Sequence, residues 1–277
     1  MRKYLNFGFI NELFLFAITQ VIGLWVAFNY IAKALNTPIV GSNVKPISAI
    51  QFIVAFFIAT LIILALSKFV KNPLIIKIIF YLGIAQGAFL FFNSFLSWQN
   101  AIIGSIFLLI LYFFYSNIFI HNFVLILALS ALAVYFGFNF KISTLIIILI
   151  LLAVYDYWAV YKTKHMVSMF KNLSDKKVNF SLIVPINFKS YLIKLNFVST
   201  DNQFMFLGTG DIVIPLIFTI SCLNLGWRTA LFAFAGSILG FILLYTIFIN
   251  QKEKNPMPGL PPLVLGSLFG YLLSFIL

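Results

Sequence analysis

Residues 143–162 read STLIIILILLAVYDYWAVYK, an apolar run that contains a single acid, Asp156. A segment of about 20 apolar residues forms an α-helix long enough to cross the hydrocarbon core of a bilayer, and we predict a spanning helix here. An aspartate well inside such a helix costs about 2.5–3.5 kcal/mol on insertion and tends to face a partner or a polar cavity. The fold class and the function must therefore both account for Asp156.

The remainder of the chain has the same apolar character. Hydrophobic residues make up 63% of the 277 positions, charged residues 9%, and the mean hydropathy is +1.10. A soluble domain carries about 25% charged residues, so a water-soluble fold is excluded. We predict an all-α polytopic membrane protein, a nine-helix bundle that forms one membrane-embedded domain over residues 1–277. The predicted spans are 9–32, 48–67, 74–95, 101–118, 122–139, 143–162, 211–226, 229–249 and 260–277.

A polar connection at 163–203 separates helices 1–6, within residues 1–162, from helices 7–9, within residues 204–277. Inside it, 178–184 and 192–198 alternate partly and are rich in β-branched and aromatic residues, which is typical of short strands. A loop without fixed structure is an equal alternative for this connection.

Basic residues are unevenly distributed between alternate connections. With the N-terminus inside, 14 of the 18 Lys and Arg residues fall on the inner side, and the outer side holds only Lys33, Lys45, Lys141 and Arg228. This bias predicts a cytoplasmic N-terminus, a cytoplasmic connection at 163–203 and an external C-terminus. The net charge of +12 is explained by orientation in the bilayer, and we predict no binding of nucleic acid.

Of only six acidic residues, Asp156 and Asp211 are the two associated with apolar runs and not explained by location. Two carboxyl groups held close together share one proton and titrate as a pair. One can then take a proton from water while the other polarises a carbonyl, as in aspartic proteases. We predict Asp156 and Asp211 as catalytic acids that use no metal and no cofactor. His121 and His165 lie at span ends, and we interpret them as interfacial residues.

Two further segments sharpen the pattern. LGTGD at 207–211 places two glycines directly before Asp211, and glycine permits unusual backbone angles and close approach of another chain. PMPGLPP at 256–262 precedes the last span, where prolines prevent a regular helix and leave backbone groups unpaired. Unpaired backbone at membrane depth is tolerated where it lines a protein or water-filled cavity. An ordinary turn and an ordinary proline-rich helix start are the alternatives.

Together these segments resemble the motifs of the GxGD-type intramembrane aspartyl proteases, the presenilin and signal peptide peptidase family, and most nearly its archaeal presenilin homologues. The Tyr-Asp motif of the sixth helix is matched by Tyr155 and Asp156. The Gly-x-Gly-Asp motif of the seventh helix is matched by Gly208, Thr209, Gly210 and Asp211. The Pro-Ala-Leu motif of the ninth helix is matched by Pro258, Gly259 and Leu260, with Pro261 following; glycine in place of alanine is a departure.

The resemblance covers nearly the whole chain and implies an intramembrane endopeptidase without a cofactor. In it, Asp156 and Asp211 would activate water against a peptide bond of a substrate's locally unwound transmembrane helix. Strand addition to residues just before Gly208 and to the stretch 258–260 would hold the unwound segment. The implied partners are single-span membrane proteins or signal-peptide-like substrates and the lipid bilayer, and a homo-oligomer is left open. The implied location is the plasma membrane of a prokaryote.

Two other classes of protein are alternatives at this point. Intramembrane carboxyl groups, broken helices and short spans also characterise proton or cation channels and transporters, although no inverted repeat is apparent. A non-cleaving membrane-helix chaperone would use the same groove to bind a helix. Cleavage of a single-span peptide, ion flux, and binding without either distinguish the three.

Overall fold

The computed structural model describes residues 2–36, 48–69, 73–163, 179–198, 204–251 and 256–277. These residues contain nine α-helices, one overlapping each predicted span, and two β-strands, so the mostly helical class is confirmed. The helices are α1 Arg2–Asn36, α2 Ala49–Phe69, α3 Pro73–Asn93, α4 Trp98–Phe114, α5 Ile118–Asn139, α6 Ile142–Tyr157, α7 Thr209–Cys222, α8 Trp227–Ile249 and α9 Leu260–Leu273. The strands are β1 Ser181–Pro185 and β2 Phe204–Gly208.

Many of the described helices are long and apolar enough to cross a bilayer. Five stretches meet both criteria: Gly8–Leu35, Leu74–Asn93, Ile118–Asn139, Ile142–Lys162 and Trp227–Ile249. Three shorter apolar helices accompany them: Trp98–Phe114, Thr209–Leu225 and Leu260–Leu273. Large apolar side chains such as Ile103, Phe107 and Phe113 are exposed on the outer faces. Such faces suit contact with lipid, because a helix satisfies its backbone groups internally.

The chain separates into two compact units. The first comprises Met1–Val44, Asn72–Tyr135 and Leu173–Val213, and the second comprises Lys45–Lys71, Phe136–Asn172 and Ile214–Leu277. Both units are discontinuous in sequence, and helices α5 and α7 have residues in both. A single membrane-embedded domain over residues 1–277 stays a prediction.

In the first unit, β1 and β2 pair antiparallel, with Ser181 opposite Gly208 and Pro185 opposite Phe204. The predicted strand at 178–184 is confirmed from Ser181 onward, whereas a strand over 192–198 is wrong. That segment forms 3₁₀ turns at Phe188–Leu192 and Leu195–Phe197.

Among the described residues, strand-type pairing of 192–198 is limited to one isolated antiparallel bridge, between Lys194 and Asn117. The Ile118 N–H donates to the Ile193 carbonyl at 3.1 Å, and the Leu195 N–H donates to the Ser116 carbonyl at 2.9 Å. Apolar side chains of this segment pack on a small core formed by Ile118, Ile183 and Phe204. The described part of the polar connection is therefore tied to the break between α4 and α5.

Two polar side chains of α5 cover the edge of β1 that faces away from β2. The amide of Asn122 donates to the Ile183 carbonyl at 2.7 Å and accepts from the Ile183 N–H at 2.9 Å. His121 Nε2 lies 3.0 Å from the Ser181 carbonyl, and its Nδ1 lies 3.0 Å from the Tyr112 hydroxyl. Because a carbonyl only accepts, Nε2 carries the proton and Nδ1 accepts from Tyr112. The amide of Asn122 thus takes the place of a third strand.

In the second unit, α8 and α9 pack at backbone distance through glycines at 236, 240, 266 and 270. A Cβ atom on Gly240 would lie 2.5 Å from the Pro262 carbonyl oxygen, and one on Gly266 would lie 2.7 Å from the Gly240 nitrogen. Small residues four positions apart permit this close approach between membrane helices. The contact fixes α9, and with it the position of Leu260 at its start.

Candidate active site

Asp156 lies in the last turn of α6 and is 3% exposed. The helix continues from Trp158 to Lys162 as a π-helical turn, closed by a hydrogen bond from the Thr163 N–H to the Trp158 carbonyl at 3.1 Å. Such wider turns are rare in proteins, and those that occur are often found at functional sites. The predicted acid is therefore buried next to a local irregularity of its helix.

The backbone at the start of α9 contacts the Asp156 carboxyl directly. The Leu260 N–H donates to Asp156 Oδ2 at 3.1 Å, and the Gly259 N–H also interacts with this carboxyl. Pro261 and Pro262 have no N–H, so Leu260 supplies one of the few donors in the first turn. The partial positive charge of a helix start is complementary to a carboxylate. The predicted segment at 258–260 is therefore buried, and the N–H of Leu260 is not unpaired but bonds to Asp156.

Tyr155, in the motif of α6, and Pro261, after the motif at the start of α9, lie beside the residues that form this hydrogen bond. The half-buried ring of Tyr155 packs edge-on against Phe57 of α2, with ring centroids 5.6 Å apart and an interplanar angle of 88°. This is a favourable arrangement for an aromatic pair. Pro261, directly after Leu260, is half-buried at the start of α9. Tyr155 therefore anchors α6 to α2.

Asp211 lies in the first turn of α7, directly after the end of β2. Its side chain is half-buried, and a Cβ atom on Gly208 would lie 2.9 Å from Asp211 Oδ2. Gly226 is the one glycine with positive φ in the described part of the chain. Neither Gly208 nor Gly210 therefore uses the left-handed backbone region that glycine permits. Gly208 instead leaves room for the carboxyl of Asp211.

The two acids belong to different compact units, Asp156 to the second and Asp211 to the first. Within its unit, Asp156 is brought to the start of α9, and within its own, Asp211 is brought to Gly208. Thr209 and Gly210 occupy the first two positions of α7, where Gly210 is exposed. The meeting of the two carboxyl groups in one site stays a prediction.

A third acid in the described residues is Glu12 of α1. It lies near the segment that follows β1: burial raises the pKa of the Tyr191 phenol there, and the Glu12 charge raises it further.

Among the residues whose placement is described, no three His, Cys, Asp or Glu side chains are grouped as ligands of a metal ion. His165 lies outside the described residues.

Residues 13–277 match the family described as "Signal-peptide peptidase, presenilin aspartyl protease". The chain belongs to this family. This presenilin-type protein is therefore an intramembrane aspartyl protease and an integral membrane protein. A comparison with curated protein sequences finds no match.

Solved structures show the same fold as this presenilin-type protease. One, titled "Structure of a presenilin family intramembrane aspartate protease in P2 space group", has a TM-score of 0.65 at 22% identity, covering 96% of each chain. A second, in a C222 space group, has a TM-score of 0.64 at 21% identity, covering 95% of each chain. The likeness extends over almost the whole chain, as the resemblance of the motifs implies.

Three buried polar residues of the presenilin-type protease make contacts between distant segments, and sequence reasoning missed two of them, Asn122 and Gln20. Asn122 and His121 hold β1, and His121 is fully buried in protein; its position at the membrane interface stays a prediction. Gln20 of α1 is fully buried and contacts Ile212, the residue after Asp211. Each is a polar side chain in an apolar span, which is the same anomaly that identifies Asp156.

Replacing Gly208 by alanine is expected to lower kcat of the protease about 10- to 100-fold, because Asp211 is predicted to be catalytic and a displacement near 1 Å of a reacting group has an effect of this size. The added methyl group would lie 2.9 Å from Asp211 Oδ2 and push the carboxyl aside. The backbone of Gly208 has no positive φ, so alanine fits there and stability should change little. Initial rates and thermal unfolding of the reconstituted enzyme measure both effects.

Gly83→Ala is the control for this substitution, because nothing lies within 4 Å of a Cβ atom on Gly83. It should leave kcat unchanged. Wild-type kcat in Gly208→Ala would contradict the steric role assigned to this glycine.

Proposed function

We propose that Asp156 and Asp211 are the catalytic pair of this protease, and that it cleaves transmembrane segments of single-span membrane proteins or signal-peptide-like substrates. The hydrogen bond from the Leu260 N–H to Asp156 Oδ2 carries the proposal. It joins two of the three motifs, 104 positions apart in the chain, at a buried carboxyl group. A carboxyl oriented by a fixed backbone donor needs little reorganisation during the reaction, which is the property that favours catalysis.

In the proposed mechanism, the two carboxyl groups share one proton. The ionised carboxyl takes a proton from water as the water oxygen bonds to the scissile carbonyl carbon. The neutral carboxyl gives its proton to the carbonyl oxygen, and a tetrahedral intermediate forms. The carboxyl that took the proton from water gives it to the amide nitrogen, one hydroxyl of the intermediate returns a proton to the other carboxylate, the C–N bond breaks, and a carboxylic acid and an amine leave. Balance requires only water and the two carboxyl groups.

Strand addition to β2 is the proposed way of holding an unwound substrate segment. His121 and Asn122 cover the far edge of β1. We propose that a third strand adds to the described two-stranded sheet beside β2. This strand ends at Gly208, three positions before Asp211, so an added strand would run toward the acid. We place a second contact on 258–260, which supports Asp156 from α9.

The finer location of the enzyme is also part of the proposal. The excess of Lys and Arg in alternate connections supports a cytoplasmic N-terminus and an external C-terminus. We place the protein in the plasma membrane of a prokaryote, with the catalytic pair reached by water from the cytoplasmic side.

Reconstitution in liposomes with a single-span peptide tests the proposed function. Two fragments, with the cut inside the apolar segment, are the expected products by mass spectrometry. A matched peptide whose segment is enriched in strong helix formers should be cut more slowly, because its helix resists unwinding. Ion flux without fragments, or binding of the peptide without fragments, would contradict the proposal.

A further inference from the structure

Gln20, in the middle of α1, contacts the helix start that carries Asp211. Its side chain is fully buried, and its Nε2 donates to the Ile212 carbonyl at 3.2 Å across 192 positions of sequence. Ile212 follows Asp211 in the first turn of α7 and is itself fully buried. This contact joins α1 to the residue next to the acid.

Burying the Gln20 amide lowers the stability of the protein, because one of its two polar atoms is left without a partner among the described residues. Gln20 Oε1 has no hydrogen-bond partner in the described part of the chain. A buried polar atom without a partner destabilises a protein by about 1–3 kcal/mol. An apolar side chain of the same length would fill the space without this loss. Positions where local packing rules are broken are expected at functional sites.

α1 is itself held in place around this contact. Ser130 of α5 donates through its hydroxyl to the carbonyl of Thr19, the neighbour of Gln20, at 3.0 Å. Farther toward the N-terminus, Gly8 packs so closely on β2 that a Cβ atom there would lie 2.5 Å from Met205 Sδ. α1 therefore contacts the chain on both sides of the segment 208–211.

The first turns of α7 are weakened by a proline inside the helix. Pro215 lies inside this helix. A proline in a helix interior removes one bond of the backbone ladder and loosens the turn before it. A donor from a neighbouring helix can restrain that turn.

We propose that Gln20 is a positioning residue for catalysis, whose amide holds the first turn of α7 so that the Asp211 carboxyl keeps its reactive orientation. The inference rests on the proposed catalytic role of Asp211. Gln20 does not touch the reacting atoms; it acts through Ile212.

Gln20→Met tests the proposal, because methionine keeps the length of the side chain and removes the donor. We expect kcat to fall about 10- to 100-fold, since small displacements of a reacting group have effects of this size. The KM value should stay within about twofold, the pattern of an interaction that acts on the transition state. Asn29→Met is the matched control, because the one bond of the Asn29 amide among the described residues stays within α1, to the Trp25 carbonyl. It should keep wild-type kcat.

Gln20→Glu separates hydrogen bonding from packing. A carboxylic acid donates only when protonated. The kcat of this variant relative to wild type should be close to one at acidic pH and should fall toward the Gln20→Met value as pH rises. Taking the ratio removes the pH dependence of the catalytic pair itself. If Gln20→Met does not fold, this ratio alone decides.

Wild-type kcat in Gln20→Met, or a ratio for Gln20→Glu that does not change with pH, would overturn the inference. The Asp211→Asn variant distinguishes this failure from failure of the proposed function. Activity in Asp211→Asn contradicts the catalytic pair, whereas its loss together with normal Gln20 variants contradicts only the positioning role.

Discussion

Asp156→Asn and Asp211→Asn are each expected to lower kcat about 10³-fold, because each removes one member of the proposed acid–base pair. Asparagine keeps the size of the side chain and can still accept from the Leu260 N–H, but it cannot take up or release a proton at this step. The double variant should be scarcely less active than either single variant, since the two carboxyl groups act as one unit. Fragment formation from a reconstituted single-span peptide measures all three.

Two controls show that the loss is chemical. Thermal unfolding of both variants should stay close to wild type, because the shape of each side chain is kept. Asp175→Asn changes an acid that the sequence assigns to the polar connection, and it should leave kcat unchanged. Substantial cleavage by either variant of the proposed pair would remove that aspartate from the mechanism.

Gly266→Ala is expected to lower the free energy of unfolding by about 1–3 kcal/mol, the usual size of overpacking effects. The new methyl group would lie 2.7 Å from the nitrogen and 2.8 Å from the Cα atom of Gly240, and also against the Gly236 carbonyl oxygen. These are backbone atoms of α8, so no side chain can rotate away. Relief requires α9 to move, and with it the Leu260 N–H that holds Asp156. We therefore expect kcat to fall together with stability, as measured by unfolding in detergent and by peptide cleavage.

Gly83→Ala is again the matched control, as an open glycine inside α3. It should stabilise the protein by about 0.5–1 kcal/mol, because alanine is favoured over glycine in a helix interior. If Gly266→Ala were as stable as Gly83→Ala, the close packing of α8 on α9 would not be a constraint on the active site.

Hydropathy was sufficient to predict the helices, because a run such as 143–162 has few alternatives to a helix in lipid. For the segment 192–198, the sequence pattern was not sufficient to predict the secondary structure. Its alternation reflects packing of short 3₁₀ turns on Ile118 and Ile183, and periodicity alone does not distinguish this from a strand. β2 was harder still, because its partner β1 is supplied by distant sequence.

The candidate site was predictable as far as its acids, since Asp156 is costly in an apolar span and Asp211 follows an unusual glycine pair. The contacts that orient these acids were not. The Leu260 N–H reaches Asp156 across 104 positions, and the Gln20 amide reaches Ile212 across 192. Such bonds depend on which helices become neighbours, and local sequence does not encode that. For Gly208, sequence indicated the residue but not the reason, which is space for the carboxyl rather than backbone angle.

The covered edge of β1 has a consequence for the protein before any substrate arrives. Exposed strand edges invite pairing with other chains and are a common origin of aggregation. Because Asn122 bonds to Ile183 and His121 to Ser181, side chains of α5 occupy the edge of β1. Other chains could then pair with the sheet only along β2, which is the strand that we propose for substrate binding. The hazard and the working surface coincide, so selection for cleavage and selection against self-association would bear on one strand.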